Sequence, residues 1–136
     1  MRIMGLDYGE ARTGVAMSDL LGITAQGVES IEHGENEKKL LNRLDEIIKE
    51  YKVEKIVIGY PLNMNATKGP RVEKTDKFIE KLSNRFHLEI IKIDERLTTV
   101  SAHRTMHELA IGKDKKKKIV DTISAQYILQ MYLDRN

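Results

Sequence analysis

The sequence predicts one α/β domain over residues 1–136, in which a mixed five-stranded β-sheet is flanked by helices. Three strand-like segments come first, and amphipathic helices then alternate with apolar strands, which favours a mixed sheet. The chain has the length of a single domain and is long enough to build its own core. Hydrophobic residues make up 40% and charged residues 32%, which is typical of a globular chain.

The first part of the chain predicts three strands. Residues 2–8 and 12–18 are predicted to form a hairpin around the turn at 9–11. Gly14 inside the second strand indicates either a bulge or the close approach of another segment. A third strand is predicted over 25–31.

Two helix–strand pairs follow. Apolar residues at helical spacing predict a helix over 36–51, and the apolar run 55–59, which stops before Pro61, is typical of a buried parallel strand. After a polar loop, Pro70 is suited to open a second amphipathic helix that extends to residue 86. Residues 88–93 are predicted as the fifth strand.

Two further helices are predicted over 98–110 and 119–133, with the lysine-rich segment 112–118 as a connection between them. The complete order is βββαβαβαα, which is the ribonuclease H-like arrangement. A doubly wound, flavodoxin-like fold is the main alternative, but it would not open with three consecutive strands.

Charge balance and cysteine content limit which kinds of functional site and partner the chain can have. Lys and Arg number 23 against 21 Asp and Glu, and this balance neither requires nor excludes nucleic acid as a partner. The absence of cysteine excludes disulfide scaffolds, thiolate metal sites and cysteine nucleophiles. No signal-peptide pattern and no apolar run near the roughly 20 residues of a membrane span are found, so we expect a cytoplasmic protein with no membrane partner.

Three carboxylates are candidate catalytic and metal-binding residues. Asp7 interrupts an apolar strand, Glu95 follows the fifth strand, and Asp121 is predicted in the first turn of the last helix. A buried charge needs a partner or a metal, and the carboxyl ends of parallel strands share one edge, so Asp7 and Glu95 are expected to converge there. From spacing alone, Asp121 as a helix-dipole partner and Glu95 as an ion-pair partner of Arg96 stay open as alternatives.

Oxygen ligands of this kind suit Mg²⁺ or Mn²⁺, and two such ions can support hydrolysis of a phosphodiester. Basic side chains in the neighbouring motifs are candidate contacts to nucleic-acid phosphates, with a solvated lysine run and a structural ion pair of Arg96 as the alternatives. These candidates are Arg12, Arg71, Arg96, Lys115, Lys116, Lys117 and Lys118. Asn63 is a candidate to orient a phosphate or the attacking water, or alternatively to cap its own turn.

Two other catalytic patterns are disfavoured. His103 and His107 are spaced as on one helix face, but Arg104 stands where a zinc-protease helix has its Glu. Ser101 lacks the glycine-flanked turn that would expose a serine nucleophile.

Four segments resemble the YqgF family, also called RuvX. They are GLDYGEARTGVAMSD at 5–19, GYPLNMNATKGPRVE at 59–73, DERLTT at 94–99 and IVDTISAQYILQMYL at 119–133. The resemblance spans nearly the whole chain, and it implies a ribonuclease H-like fold related to the resolvase RuvC. By motif it also implies that Asp7, Glu95 and Asp121 are the catalytic acids.

The activity that the resemblance implies is a metal-dependent nuclease in 5′-end maturation of precursor 16S rRNA. A Holliday junction resolvase and a non-catalytic nucleic-acid-binding module of ribosome assembly stay open as alternatives. We expect precursor rRNA or branched DNA as partner, ribosomal assembly factors as further partners, and a monomer or weak dimer, since a stable dimer with opposed sites would favour junction resolution.

The sequence departs from the family pattern at two places. Asn65-Ala66 stands where Asp-Gly is expected, and Ser124 stands where a small alanine is expected. Neither departure removes a candidate metal ligand. The first is expected to affect the conformation of its loop, because alanine lacks glycine's access to positive φ.

Overall fold

The computed structural model describes residues 2–63, 65–97 and 114–135. The predicted helix over 98–110 lies outside these residues, together with Ser101, His103 and His107. Within the described residues, none of the helices is both long and apolar enough to span a membrane.

Five strands form one mixed sheet, as the sequence predicts. The strands are β1 (Arg2–Tyr8), β2 (Arg12–Ser18), β3 (Ala25–Glu32), β4 (Val53–Tyr60) and β5 (Glu89–Asp94). Their order across the sheet is β3-β2-β1-β4-β5. The hairpin strands β1, β2 and β3 pair antiparallel, whereas β4 pairs parallel with both β1 and β5. The carboxyl ends of β1, β4 and β5 therefore share one edge, with β1 at the centre of the sheet.

Three helices are described: α1 (Glu37–Tyr51), α2 (Pro70–Phe86) and α3 (Asp114–Leu133). The Asn36 side chain caps α1 by accepting a hydrogen bond from the backbone N–H of Lys39 at 3.1 Å. Pro70 lies in the first turn of α2, where its missing N–H costs nothing. Both helices end on a residue in the left-handed conformation, Lys52 and His87.

The two faces of the sheet are covered by different helices. One face packs Met4, Leu6 and Ile58 against α1 and α2, and the other packs Ile3 and Val57 against α3. Because side chains alternate along a strand, the residues of β1 divide between these two layers. Odd-numbered residues of β1, which include Asp7, face α3.

The start of the last helix differs from the prediction. The helix begins at Asp114 and not near residue 119, so Lys115–Lys118 lie in its first turns and not in a connecting loop. Lysine is a good helix former, and no glycine or proline interrupts 114–133, so the charge run extends the helix. Asp121 is the eighth residue of α3, beyond the first turn, which removes the helix-dipole alternative for this carboxylate.

Candidate active site

Asp7 lies near the carboxyl end of the central strand, on the face that α3 covers. It is 5% exposed. The row of residues across the sheet at this level is Ser30 on β3, Gly14 on β2 and Asp7 on β1. Gly59 on β4 comes next, because the β1–β4 register pairs Leu6 with Ile58. Two glycines therefore flank Asp7 in the sheet.

Glu95 is placed beside this row by the turn that follows β5. It begins a short 3₁₀ turn, Glu95–Leu97, directly after the strand. A methyl group on Gly59 would lie only 2.6 Å from Glu95 Oε1, so the carboxylate occupies the space above that glycine. The predicted convergence of Asp7 and Glu95 at one sheet edge agrees with this placement.

Asp121 belongs to α3 and lies beside this row at β2, across Asp7 from Glu95. A Cβ atom on Gly14 would lie 2.0 Å from the Asp121 carbonyl oxygen, so the helix backbone passes directly over this glycine. Of the two alternatives that Gly14 left open, a bulge or a close approach, the close approach is confirmed. Asp121 lies over β2 and Glu95 over β4, on either side of Asp7.

The carboxylate of Asp121 is already engaged. Its Oδ2 accepts hydrogen bonds from Arg12 Nε at 2.7 Å and from Ser30 Oγ at 2.9 Å. Among residues 2–63, 65–97 and 114–135, no group of three His, Asp or Glu side chains is arranged to hold a metal ion. The carboxylate oxygens of Asp7 and Glu95 suit a hard divalent cation. The third candidate ligand, Asp121, instead pairs with Arg12.

Arg96 binds Asp94, the last residue of β5. Its Nη2 lies 2.6 Å from Asp94 Oδ2, and its Nε also donates to the same carboxylate. These hydrogen bonds hold the pKa of Asp94 below its ordinary value. This ion pair is the structural contact left open from the sequence, and a phosphate contact by Arg96 stays a prediction.

Asn63 stabilises its own loop. Its Nδ2 donates to Thr67 Oγ1 at 3.1 Å, and its carbonyl accepts from the N–H of Ala66 at 2.9 Å. These bonds tie Asn63 to its own loop, and a role of Asn63 toward a phosphate or a water stays a prediction. Ala66 itself has a φ of 67°, so the residue that replaces the expected glycine adopts a left-handed conformation.

Arg71 lies away from the three acids, in a groove of about 680 Å³ that it shares with Tyr8, Glu10 and Lys74. The groove is on the side of the sheet that α2 covers, whereas Asp121 is on the other. Lys115–Lys118 precede Asp121 along α3. Nucleic-acid binding by Arg71 and by these lysines stays a prediction.

The sequence interpretation missed Ser30. This residue joins the site because β3 shifts register against β2 between Val15 and Ala16, which aligns Ser30 with Gly14. No short motif marks Ser30, and a register shift is not visible in hydrophobic patterning. The catalytic roles of Asp7, Glu95 and Asp121 also stay predictions, since the geometry shows their placement and not their chemistry.

Comparison with solved structures identifies the fold. Thermus thermophilus RuvC in complex with a Holliday junction substrate superimposes with a TM-score of 0.62 at 11% identity, covering 99% of this chain and 94% of that one. The fowlpox virus resolvase in its junction complex gives 0.55 at 12% identity, covering 99% and 98%. With its mixed five-stranded sheet flanked by helices, the chain has a ribonuclease H-like α/β fold.

Comparison of sequences identifies the family. The model described as "RuvX: Holliday junction resolvase" matches residues 1–135, and the chain belongs to this family. A protein of Ruminiclostridium cellulolyticum named "Putative pre-16S rRNA nuclease" is 63% identical over 135 residues, which is 99% of this chain and 95% of the relative. A Streptococcus thermophilus protein of the same name is 52% identical over 137 residues, 99% of each chain.

Proposed function

We propose that this protein is a metal-dependent nuclease that hydrolyses phosphodiester bonds in the maturation of precursor 16S rRNA. The observation that supports the chemistry best is the placement of Glu95 and Asp121 over the strands that flank Asp7. The substrate is inferred from the relatives named for pre-16S rRNA and from their identity over nearly the whole chain.

Asp7 and Glu95 are the side chains that would hold a divalent ion, Mg²⁺ or Mn²⁺, with Asp121 as the third ligand. When bound, the ion supplies positive charge that favours ionisation of an attacking water and offsets charge on the leaving oxygen. Asp7 lies inside the central strand and is nearly buried, so the sheet would hold this ligand in place. Its role is to fix the position of the ion relative to the sheet.

Basic residues of the chain would position the substrate. Arg12 lies at the start of β2 beside Asp121, and Lys115–Lys118 lie on α3 just before it. Recognition through the phosphate backbone suits a chain with only 5% aromatic residues and no Trp, since these offer little surface for stacking on bases. Nucleic-acid binding is therefore expected to weaken steeply with salt.

A Holliday junction resolvase is the second candidate, because the matching family model carries that description. The two activities share the same acids and differ in substrate. A non-catalytic assembly module would keep the nucleic-acid surface without turnover.

The test is incubation of the purified protein with end-labelled precursor 16S rRNA and with a four-way DNA junction, in Mg²⁺, Mn²⁺ or chelator. We expect cleavage of the RNA that chelation abolishes. Cleavage of the junction alone would assign the resolvase activity. Binding that survives chelation, with no cleavage of either substrate, would assign the non-catalytic role and contradict the proposal.

A further inference from the structure

Arg12 and Asp121 form an ion pair inside the candidate active site. The Arg12 Nε to Asp121 Oδ2 distance is 2.7 Å, and the two side chains are 27% and 12% exposed. Ser30 donates to the same oxygen. The carboxylate expected to bind a cation is thus bound to the protein's own cation.

The guanidinium uses only part of its donor set in this contact. Among the described residues, Arg12 makes one side-chain hydrogen bond, through Nε to Asp121, and its terminal nitrogens donate to no described group. Arg12 also lines a shallow surface cavity of about 500 Å³ with Glu32, His33 and Lys39. A planar guanidinium can donate two parallel hydrogen bonds to a phosphate. Because the terminal nitrogens of Arg12 donate to no described group and Arg12 lines this cavity, its guanidinium is available for such a contact.

We propose that Arg12 exchanges partners, from Asp121 in the free protein to a phosphate of the nucleic acid when substrate binds. The exchange would release Asp121 to complete the divalent-ion site around Asp7. This inference rests on the proposed nuclease function, because it assigns Asp121 to the ion. Arg12 is in this account a positioning residue that couples substrate binding to metal binding.

The exchange has a defined thermodynamic consequence. An ion that recruits Asp121 in the free protein must displace the guanidinium, so Arg12 weakens metal binding while no nucleic acid is present. Coupling between two ligands is reciprocal, so a bound phosphate backbone strengthens metal binding by the same factor that metal strengthens nucleic-acid binding. An Arg12 that merely supported Asp121 as a ligand would have the opposite effect on the ion.

The test is a titration of the nucleic-acid-free protein with Mn²⁺. Binding is measured by calorimetry and by the electron paramagnetic resonance of free Mn²⁺. In Arg12→Gln we expect Mn²⁺ to bind at least about fivefold more tightly, the lower end of usual coupling strengths. The gain should vanish in the double variant with Asp121→Asn. Arg12→Lys, which retains the positive charge, should change the affinity less than Arg12→Gln.

Arg43→Gln is the matched control. Arg43 pairs with Glu29 at 2.7 Å, on the face of the sheet that α1 covers, so its loss removes a similar ion pair away from the acids. The control should leave the Mn²⁺ affinity unchanged.

Two results would overturn the inference, and they differ in what else they affect. Unchanged or weaker Mn²⁺ binding in Arg12→Gln, with wild-type binding that Asp7→Asn abolishes, would refute the exchange and leave the proposed nuclease function intact. No Mn²⁺ binding by any of the proteins would refute the metal site itself, and with it both the proposed function and the exchange.

Discussion

Ala66 adopts a backbone conformation that an alanine side chain opposes. Its φ is 67°, its side chain is exposed, and the loop around it is held by Asn63 and Asn65. A left-handed conformation costs an L-residue roughly 1–2 kcal/mol, and glycine avoids this cost. Glycine also has more conformational freedom in the unfolded chain, which cancels part of the stability gained.

We therefore expect Ala66→Gly to raise the free energy of unfolding by up to about 1 kcal/mol, measured by urea denaturation. Ala11→Gly is the control, since Ala11 is also exposed but does not have a positive φ. That change should lower stability slightly. A loss of stability in Ala66→Gly comparable with the control would contradict the strain at residue 66.

Gly14 is required by the approach of α3, and not by its own backbone conformation. Its absent Cβ would lie 2.0 Å from the Asp121 carbonyl oxygen, and backbone atoms inside a helix cannot move independently. Overpacking of this kind costs typically about 1–3 kcal/mol, and we expect Gly14→Ala to reach the upper part of that range in urea denaturation.

Gly27→Ala is the comparison for Gly14. Its Cβ would lie 3.0 Å from Thr122 Cβ, a much milder approach than the 2.0 Å between a Gly14 Cβ and the Asp121 carbonyl oxygen. The loss should be smaller in Gly27→Ala. Equal losses in the two variants would show that α3 does not lie more tightly on Gly14 than on Gly27.

Three hydrogen-bonded side chains connect the elements β1, α1 and α2. Tyr8 of β1 donates to Glu37 Oε1 at 2.7 Å, and Lys81 of α2 donates to the other oxygen of Glu37. Burial raises the pKa of Glu37, but the hydrogen bonds from Lys81 and Tyr8 outweigh it and hold that pKa below its ordinary value of 4.5.

The sign of the pH dependence follows from this depressed pKa. The folded state binds the Glu37 proton less readily than the unfolded state, so the stabilisation is present above the ordinary pKa and is lost as the pH falls through the folded value. In Glu37→Gln we expect the free energy of unfolding to fall less steeply below about pH 4.5 than in the wild type. Parallel curves for the two proteins over that range would contradict the shift.

At the scale of the whole molecule, two apolar layers share one sheet. Ile47 of α1 lies in one layer and Ile128 of α3 in the other, and both are fully buried. Because every strand contributes to the sheet between them, we expect the layers to unfold together as one domain.

Ile47→Val and Ile128→Val should each lower the free energy of unfolding by about 1 kcal/mol. In both variants, far-UV circular dichroism and tyrosine fluorescence should report the same single unfolding transition. Transitions that separate between the two probes, or a variant that moves only one of two steps, would show that the layers unfold independently.

Much of the fold could be predicted from local patterns. Strand and helix positions followed from alternation and helical spacing, and the shared edge of Asp7 and Glu95 followed from parallel pairing. The start of α3 was misplaced because a lysine run is compatible with both a solvated loop and a helix. The engagement of Asp121 by Arg12 and Ser30 depends on a register shift between β2 and β3, which is set by tertiary packing and leaves no periodic signal.

Cleavage of precursor 16S rRNA by Asp7→Asn beside the wild type, at equal protein and Mg²⁺ concentrations, decides whether the carboxylates around Asp7 form the active site. Asp45→Asn is the control, because Asp45 is an α1 carboxylate that pairs with Lys49 and Arg85 away from the acids. We predict cleavage by the wild type and by Asp45→Asn, and a loss of at least about a hundredfold in Asp7→Asn with folding and RNA binding retained. Metal-dependent cleavage by Asp7→Asn at the wild-type rate would contradict the assignment of the active site to the carboxylates around Asp7.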